Sequence, residues 1–231
     1  MKIKVAYRIM ASPERSELVN AELEKLSPCD VKVFYDDRPK ELRKGTSYTQ
    51  LKCIEDALAG DYTHLCILQD DILLVNHFGE CIENLIKARP LALWTLFCPR
   101  IKAEDLSFDF PYARIFPANT WGQGNLIPIP MLEKIMQFRE EYLPNYIYDD
   151  MLYLAYCIEN LMPVYTTRVA LMQHLCPSNS LLGYNNKNKV SKIWAGEDVF
   201  GKINWKSRDY KKYNIPTSAN LAKEYAKYGP G

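Results

Sequence analysis

Residues His64–Val75 read HLCILQDDILLV: an apolar run, two adjacent aspartates, and a second apolar run. Leu65–Leu68 and Ile72–Val75 flank Asp70 and Asp71, and β-branched Ile67 sits in the first run, a pattern that predicts a buried strand ending in the acid pair. Each unpaired charge taken out of water costs on the order of several kcal/mol. A buried strand ending in two carboxylates therefore requires a cation there, either a divalent metal with oxygen ligands or a Lys or Arg. The alternative is a pair that caps a turn or helix in solvent, and the apolar sequence on both sides argues against it.

Upstream, Lys2–Tyr7 alternates and predicts a first strand. Ser12-Pro13-Glu14 has the chemistry of a helix start, with Ser12 as N-cap, Pro13 in the first turn and an amphipathic stretch to Leu26. Arg8 and Arg15 flank that start, where they either meet a phosphate or are simply solvated. Asp30–Tyr35 predicts a second strand, ending in Asp36 and Asp37. Acidic groups at such an end accept bonds from a ribose or base edge, or close a turn before Pro39. Thr46–Gly60 predicts a helix with Leu51, Ile54 and Leu58 on one face and Gly60 as its stop. The order is β-α-β-α-β, which favours a parallel sheet with the acid pair closing the third strand.

Downstream, Phe78–Ala88 predicts an amphipathic helix and Leu91–Phe97 a fourth strand, followed by a loop rich in proline and aromatics over Pro99–Asn119. Trp121-Gly122-Gln123-Gly124-Asn125 has two glycines that permit close backbone approach, as in a pocket floor, and a helix follows from Pro130 to Tyr142. Asn145–Leu161 predicts an apolar helix starting at a second acid pair, Asp149 and Asp150. Helix capping accounts for one of these carboxylates and leaves the other open to chemistry. Pro163–Gln173 predicts the last strand and delivers His174 to a Pro-Ser-Asn turn, as a metal ligand would be delivered, although a lone histidine is more often structural. From Asn185 the chain turns basic, with Trp194, Phe200, Trp205, Tyr210 and Tyr213 interleaved; this suits a phosphate-rich partner, or aromatics packed on the domain.

With 231 residues, 48% of them apolar, the chain is long enough for one large domain. Its 29 Lys and Arg nearly balance 28 Asp and Glu, so the chain as a whole is no polyelectrolyte partner. Seven scattered cysteines without a CxxC read as reduced, mostly buried thiols. No signal peptide is visible and no apolar run nears the roughly 20 residues that span a bilayer, so a cytoplasmic protein is expected.

The segment Ile67-Leu68-Gln69-Asp70-Asp71 resembles the DXD-type motif of GT-A fold glycosyltransferases, in the form found in lipooligosaccharide-type transferases; Gln69 stands where that version carries its first acid. Trp121–Pro128 is similar to the family's acceptor-side glycine segment, and Tyr148-Asp149-Asp150 to its later acidic motif. Leu171-Met172-Gln173-His174 with Ser178, Ser180 and Gly183 resembles the closing stretch of many bacterial and phage members. The resemblance implies a GT-A-like, Rossmann-type, mostly parallel sheet flanked by helices. Residues 1–184 would form the catalytic domain, with a nucleotide-sugar half over 1–98 and an acceptor half over 99–184, and 185–231 a basic aromatic extension.

It further implies a nucleotide-diphosphate sugar donor, with a UDP-sugar as the leading candidate. Mn²⁺ (or Mg²⁺) would be held by Asp71 and His174, the nitrogen ligand favouring Mn²⁺. Asp70, Arg8, Arg15, Asp36 and Asp37 would serve the donor, Trp121, Gly122, Gln123, Gly124 and Asn125 the acceptor, and Asp149 or Asp150 would be the catalytic base, giving inversion. The acceptor hydroxyl would belong to a glycan or lipopolysaccharide core, or to a hydroxymethylated base in phage DNA. Two other classes compete: a nucleotidyltransferase, against which the absence of glycine from Arg8–Arg15 counts, and a non-enzymatic nucleic-acid-binding protein that uses the basic tail.

Overall fold

The computed structural model of the chain describes residues 2–43, 46–109, 112–115, 122–144, 149–175, 190–207 and 212–213, with the backbone alone at 40, 112–115, 149–151 and 212–213. Its strands are β1 (Val5–Ala11), β2 (Val31–Tyr35), β3 (His64–Gln69), β4 (Ile72–Leu74), β5 (Leu93–Thr95), β6 (Tyr112–Ile115), β7 (Gly124–Pro128), β8 (Val164–Thr167), β9 (Met172–His174) and β10 (Lys212–Tyr213). The α-helices are α1 (Ser16–Leu26), α2 (Ser47–Ala59), α3 (Phe78–Ala88), α4 (Ile129–Tyr142) and α5 (Asp149–Glu159).

Eight strands form one sheet in the order β10-β6-β8-β5-β7-β3-β1-β2. β1, β2, β3, β5 and β8 run one way, and β6, β7 and β10 run the other. This is the mixed, mostly parallel α/β sheet that the alternating element order predicts. Helices cover both faces, because the strands alternate between two apolar sides. Tyr7, Ile9 and Ala11 of β1 and Cys66 and Leu68 of β3 pack with α1 and α3. Ala6, Met10, Leu65 and Ile67 pack with α2, α4 and α5. Cys53, Cys66, Cys81 and Cys157 are free thiols inside these layers, and Cys98 is a free thiol in a smaller cluster with Ile101, Ala170 and Ile193.

The structure departs from the sequence reading where tertiary pairing overrides local pattern. The first strand is Val5–Ala11 rather than Lys2–Tyr7. Arg8 falls in the polar phase set by Lys2 and Lys4, yet it is fully buried and neutralised inside the protein, and the strand runs on through it. The apolar run after Asp71 is a separate strand: β4 leaves the main sheet and pairs antiparallel with β9. The single strand expected over Pro163–Gln173 is likewise two, β8 in the main sheet and β9 in the small one. β6 falls in the stretch expected to be loop, and β7 enters antiparallel between β3 and β5. Residues 190–207, assigned from sequence to an extension, contribute Val199 and Ile203 to the same core as β1 and α3.

Candidate active site

β1 and β3 are parallel neighbours in a register that pairs Val5 with His64 and Met10 with Gln69, so both strands finish level. Ligands of open α/β sheets collect at these carboxyl ends, where the loops diverge. Here the two loops meet directly: the Ser12 N–H donates to Asp70 Oδ2 at 2.6 Å. Ser12 precedes the short 3₁₀ turn Pro13–Arg15 and makes no side-chain cap; its hydroxyl turns instead to Glu14.

Asp70 and Asp71 are buried, each 5% exposed, and the cation that their burial demands is present as Arg15. Arg15 Nη1 donates to Asp70 Oδ1 at 3.1 Å and to Asp71 Oδ2 at 2.6 Å. The small sheet supplies the second partner. Ile72 pairs with His174, the Leu175 N–H donates to the Asp71 carbonyl at 2.7 Å, and His174 Nε2 lies 3.1 Å from Asp71 Oδ2. Residues more than a hundred positions apart are thus joined by β4 and β9 pairing outside the main sheet. Burial pushes the Asp70 carboxyl up, and Asp71 beside it adds to the rise. Burial pushes Asp71 the same way, but its bond to His174 and the charge of Arg15 more than offset this, leaving it below the usual carboxylate range.

Glu22 is a site residue that the sequence reading missed. It sits on α1 at 2% exposure, neither carboxylate oxygen makes a well-formed hydrogen bond among the described residues, and it lies close enough to Asp70 and Asp71 to feel their charge. The signal was available: Val19, Glu22 and Leu26 share the helix stripe that faces the core. Burial, then Asp70 and Asp71, raises the Glu22 carboxyl to about 10, with only the Ile72 backbone pulling the other way, so it is a neutral acid at pH 7.

The other expected residues divide. Arg8 is a correction. Its guanidinium has no exposure and is held by Asp56 (2.6 Å), Asp30 (3.2 Å), Tyr62 (3.0 Å) and the Tyr7 carbonyl (2.9 Å), so no phosphate reaches it. Asp30 and Tyr62 also line a groove of about 490 Å³ that shares none of the expected site residues. Asp36 is buried and bound in a fork by Arg38, Nε to Oδ1 at 2.9 Å and Nη2 to Oδ2 at 2.7 Å; it orders its own loop. Asp37 stands at the surface on Tyr48 and Lys52. Arg43 donates to the Arg38 carbonyl and to Glu14, so Arg15, Arg38 and Arg43 together rim the carboxyl ends of β1 and β2.

Of the glycine segment, Gln123 reaches the site: its carbonyl accepts from the Gln69 N–H at 3.0 Å, and its Oε1 is buried without a partner among the described residues. Gly122 is buried beside it. Gly124 is no pocket floor, because a Cβ there would stand 2.5 Å from Met172 Cε; the glycine makes room for a core methionine. Asn125 is buried within the sheet, paired with Ile67 and Thr95. Trp121 lies outside the described residues. Asp149 and Asp150 begin α5, and their side chains lie outside the described residues.

A divalent ion fits what is present. Asp71 Oδ2 and His174 Nε2 are separated by 3.1 Å, close to the roughly 3 Å edge of an octahedron with bonds of about 2.1 Å. Asp71 Oδ1 is buried without a partner among the described residues, where an unsatisfied acceptor is costly. No group of three or more His, Cys, Asp or Glu among the described residues is placed to hold a metal, so water and ligand phosphates would complete the shell.

No family model matches the chain, and no curated protein matches its sequence. Solved structures similar to it include A197 from STIV, at TM-score 0.47 and 10% identity, covering 84% of this chain and 95% of that one. Mannose-1-phosphate geranyltransferase from Thermus thermophilus gives 0.42 and 11%, covering 93% and 75%. A glycosyltransferase involved in the glycosylation of the major capsid of PBCV-1 gives 0.38 and 11%, covering 75% and 94%. At these scores the likeness carries no argument about activity, which rests on the geometry above.

Proposed function

We propose that the chain is a metal-dependent glycosyltransferase that uses a nucleotide-diphosphate sugar, with UDP-sugars the first to try. The observation that carries the reading is the buried Asp70–Asp71 pair at the end of β3 with His174 Nε2 3.1 Å from Asp71 Oδ2. Two carboxylates and an imidazole drawn to one point from different sheets have no packing purpose that apolar residues would not serve better. Asp71 and His174 would hold Mn²⁺ or Mg²⁺, which supplies charge to a diphosphate leaving group. Asp70, fixed by the Ser12 N–H and sharing the Arg15 guanidinium with Asp71, would orient the ion's water or the donor sugar. The arginine rim of Arg15, Arg38 and Arg43 offers planar donors suited to phosphate oxygens. Asp37 at the end of β2 is the candidate for the nucleoside side, and Gln123 beside Gln69 for the acceptor side. Asp149 or Asp150 would take the acceptor proton, so that direct displacement inverts the anomeric centre. The acceptor is a hydroxyl of a glycan or of a hydroxymethylated base.

A thermal-shift screen of UDP-, GDP-, CDP- and ADP-sugars with and without Mn²⁺ tests the donor: stabilisation by at least one of them only when Mn²⁺ is present is expected. Asp71→Ala should lose donor hydrolysis in Mn²⁺ by a factor of about 10² or more. Wild-type turnover in that variant would end the assignment. One observation favours a second reading: the Arg15-bearing loop after β1 lies against the acid pair, and a basic loop after the first strand is what a nucleotidyltransferase would require. Release of pyrophosphate from a sugar 1-phosphate and a nucleoside triphosphate would select it.

A further inference from the structure

Asp71 Oδ2 has two claimants. Arg15 Nη1 donates to it at 2.6 Å, and His174 Nε2 lies 3.1 Å from it. The same guanidinium nitrogen holds Asp70 Oδ1 at 3.1 Å, so a single cationic group bridges both aspartates. A divalent ion at Asp71 and His174 would have to approach this oxygen. Two positive charges a few ångströms apart at a site that is 5% exposed repel strongly, because little water screens them. The arginine and an ion at the Asp71 Oδ2–His174 Nε2 edge therefore compete for this oxygen.

Arg15 is placed to leave. It ends the 3₁₀ turn Pro13–Arg15 and stands at the N-cap position of α1 without a side-chain cap bond, so its guanidinium can turn without unwinding the helix. Its side chain is 12% exposed against 7% for each aspartate, so it reaches solvent slightly more than they do. Arg38 and Arg43 already rim this mouth with their own acidic partners, Asp36 and Glu14.

We propose that Arg15 is a displaceable counter-cation: it occupies the acid pair when no divalent ion is bound, yields Asp71 to the ion, and then pairs with the phosphate oxygens of the nucleotide that arrives with it. The proposal rests on the metal-and-nucleotide reading above and adds an order to it. The ion alone must compete with an internal arginine. The ion together with a diphosphate gives that arginine a new anionic partner, so nucleotide and metal bind cooperatively. Arg15 acts as a positioning residue that links the two.

The test is direct Mn²⁺ binding, read from the spin-resonance signal of free Mn²⁺. It is done for the full chain and for Arg15→Gln and Arg15→Lys, alone and with whichever of UDP, GDP, CDP or ADP binds best. Arg15→Gln should bind Mn²⁺ alone at least tenfold more tightly than wild type. In the presence of Mn²⁺ it should bind the nucleoside diphosphate several-fold more weakly, shrinking the cooperativity between them. Arg15→Lys, which keeps the charge but loses the planar fork, should fall between, and it carries the test if Arg15→Gln does not fold. Equal or weaker Mn²⁺ binding in both variants, with metal-dependent nucleotide binding intact in wild type, overturns the counter-cation and leaves the functional reading standing. Unchanged nucleotide affinity in the variants overturns the handover to phosphate. No Mn²⁺ binding by wild type or variants, with or without nucleotide, overturns both.

Discussion

Glu22 occupies a helix position that its neighbours Val19 and Leu26 mark for an apolar side chain. Its carboxyl is raised from an ordinary 4.5 to about 10, by burial first and then by Asp70 and Asp71. A carboxyl whose pKa rises on folding contributes its stability fully below the unfolded value and loses it as pH climbs toward the folded one. Wild type should therefore lose stability between about pH 4.5 and pH 10 through this group, by roughly 3 kcal/mol at pH 7. Glu22→Gln keeps the shape without the titration, so urea unfolding at pH 5, 7 and 8.5 should show the variant gaining on wild type as pH rises. Parallel pH profiles for the two proteins would mean that Glu22 does not titrate in this window. Asp71 works in the opposite direction, since its lowered pKa favours the folded state at neutral pH and is lost on acidification, but it is common to both proteins and drops out of the comparison.

At the scale of elements, β7 decides how closely β3 and β9 pack. Its first residue, Gly124, stands where a Cβ would lie 2.5 Å from Met172 Cε, 2.8 Å from Met172 Sδ and 3.2 Å from a Leu68 methyl. Methionine is flexible, so Gly124→Ala should cost only about 1 kcal/mol by forcing a new rotamer. Truncating Met172, which belongs to the strand that carries His174, should remove that conflict. A double-mutant cycle with Met172→Ala is thus expected to show the Gly124→Ala cost falling to near zero in the Met172→Ala background, measured by chemical denaturation. Additive costs would place the strain elsewhere. The same elements explain why the sequence predicts one strand where the protein has β8 and β9. Both segments are apolar, and only the switch from one sheet to the other separates them.

At the scale of the whole molecule, residues 190–207 close the structure. The Asn76 N–H donates to the Glu197 carbonyl and the Ala170 N–H to the Ile193 carbonyl, while Lys25 pairs with Glu197. Val199, with no exposure, fills the layer beneath α1 and α3. Val199→Ala should destabilise the whole protein by about 2 kcal/mol in a single cooperative transition, seen by circular dichroism in urea. A separate early transition confined to this segment would mean that it folds on its own.

The sequence by itself determined the layers. A continuous apolar run over β3 marked a strand buried on both faces, a period near four over α2 and α3 set the core side of those helices, and the alternation of strands with helices set a mostly parallel sheet. The apolar flanks of Asp70 and Asp71 forced both a buried acid pair and a cation beside it, since burial without neutralisation is too costly. What local pattern could not say was which cation, because a charge finds its partner by distance in space and not in sequence. Arg15 and Arg8 look alike in the chain. Only the register of β1 against β3 sets one against the acid pair and seals the other behind Asp56. Pairing of β4 with β9, separated by a hundred residues, brought His174 to Asp71, and packing of α1 turned an ordinary glutamate into a buried neutral acid. Those contacts are long-range, and they exist only once the whole sheet has closed.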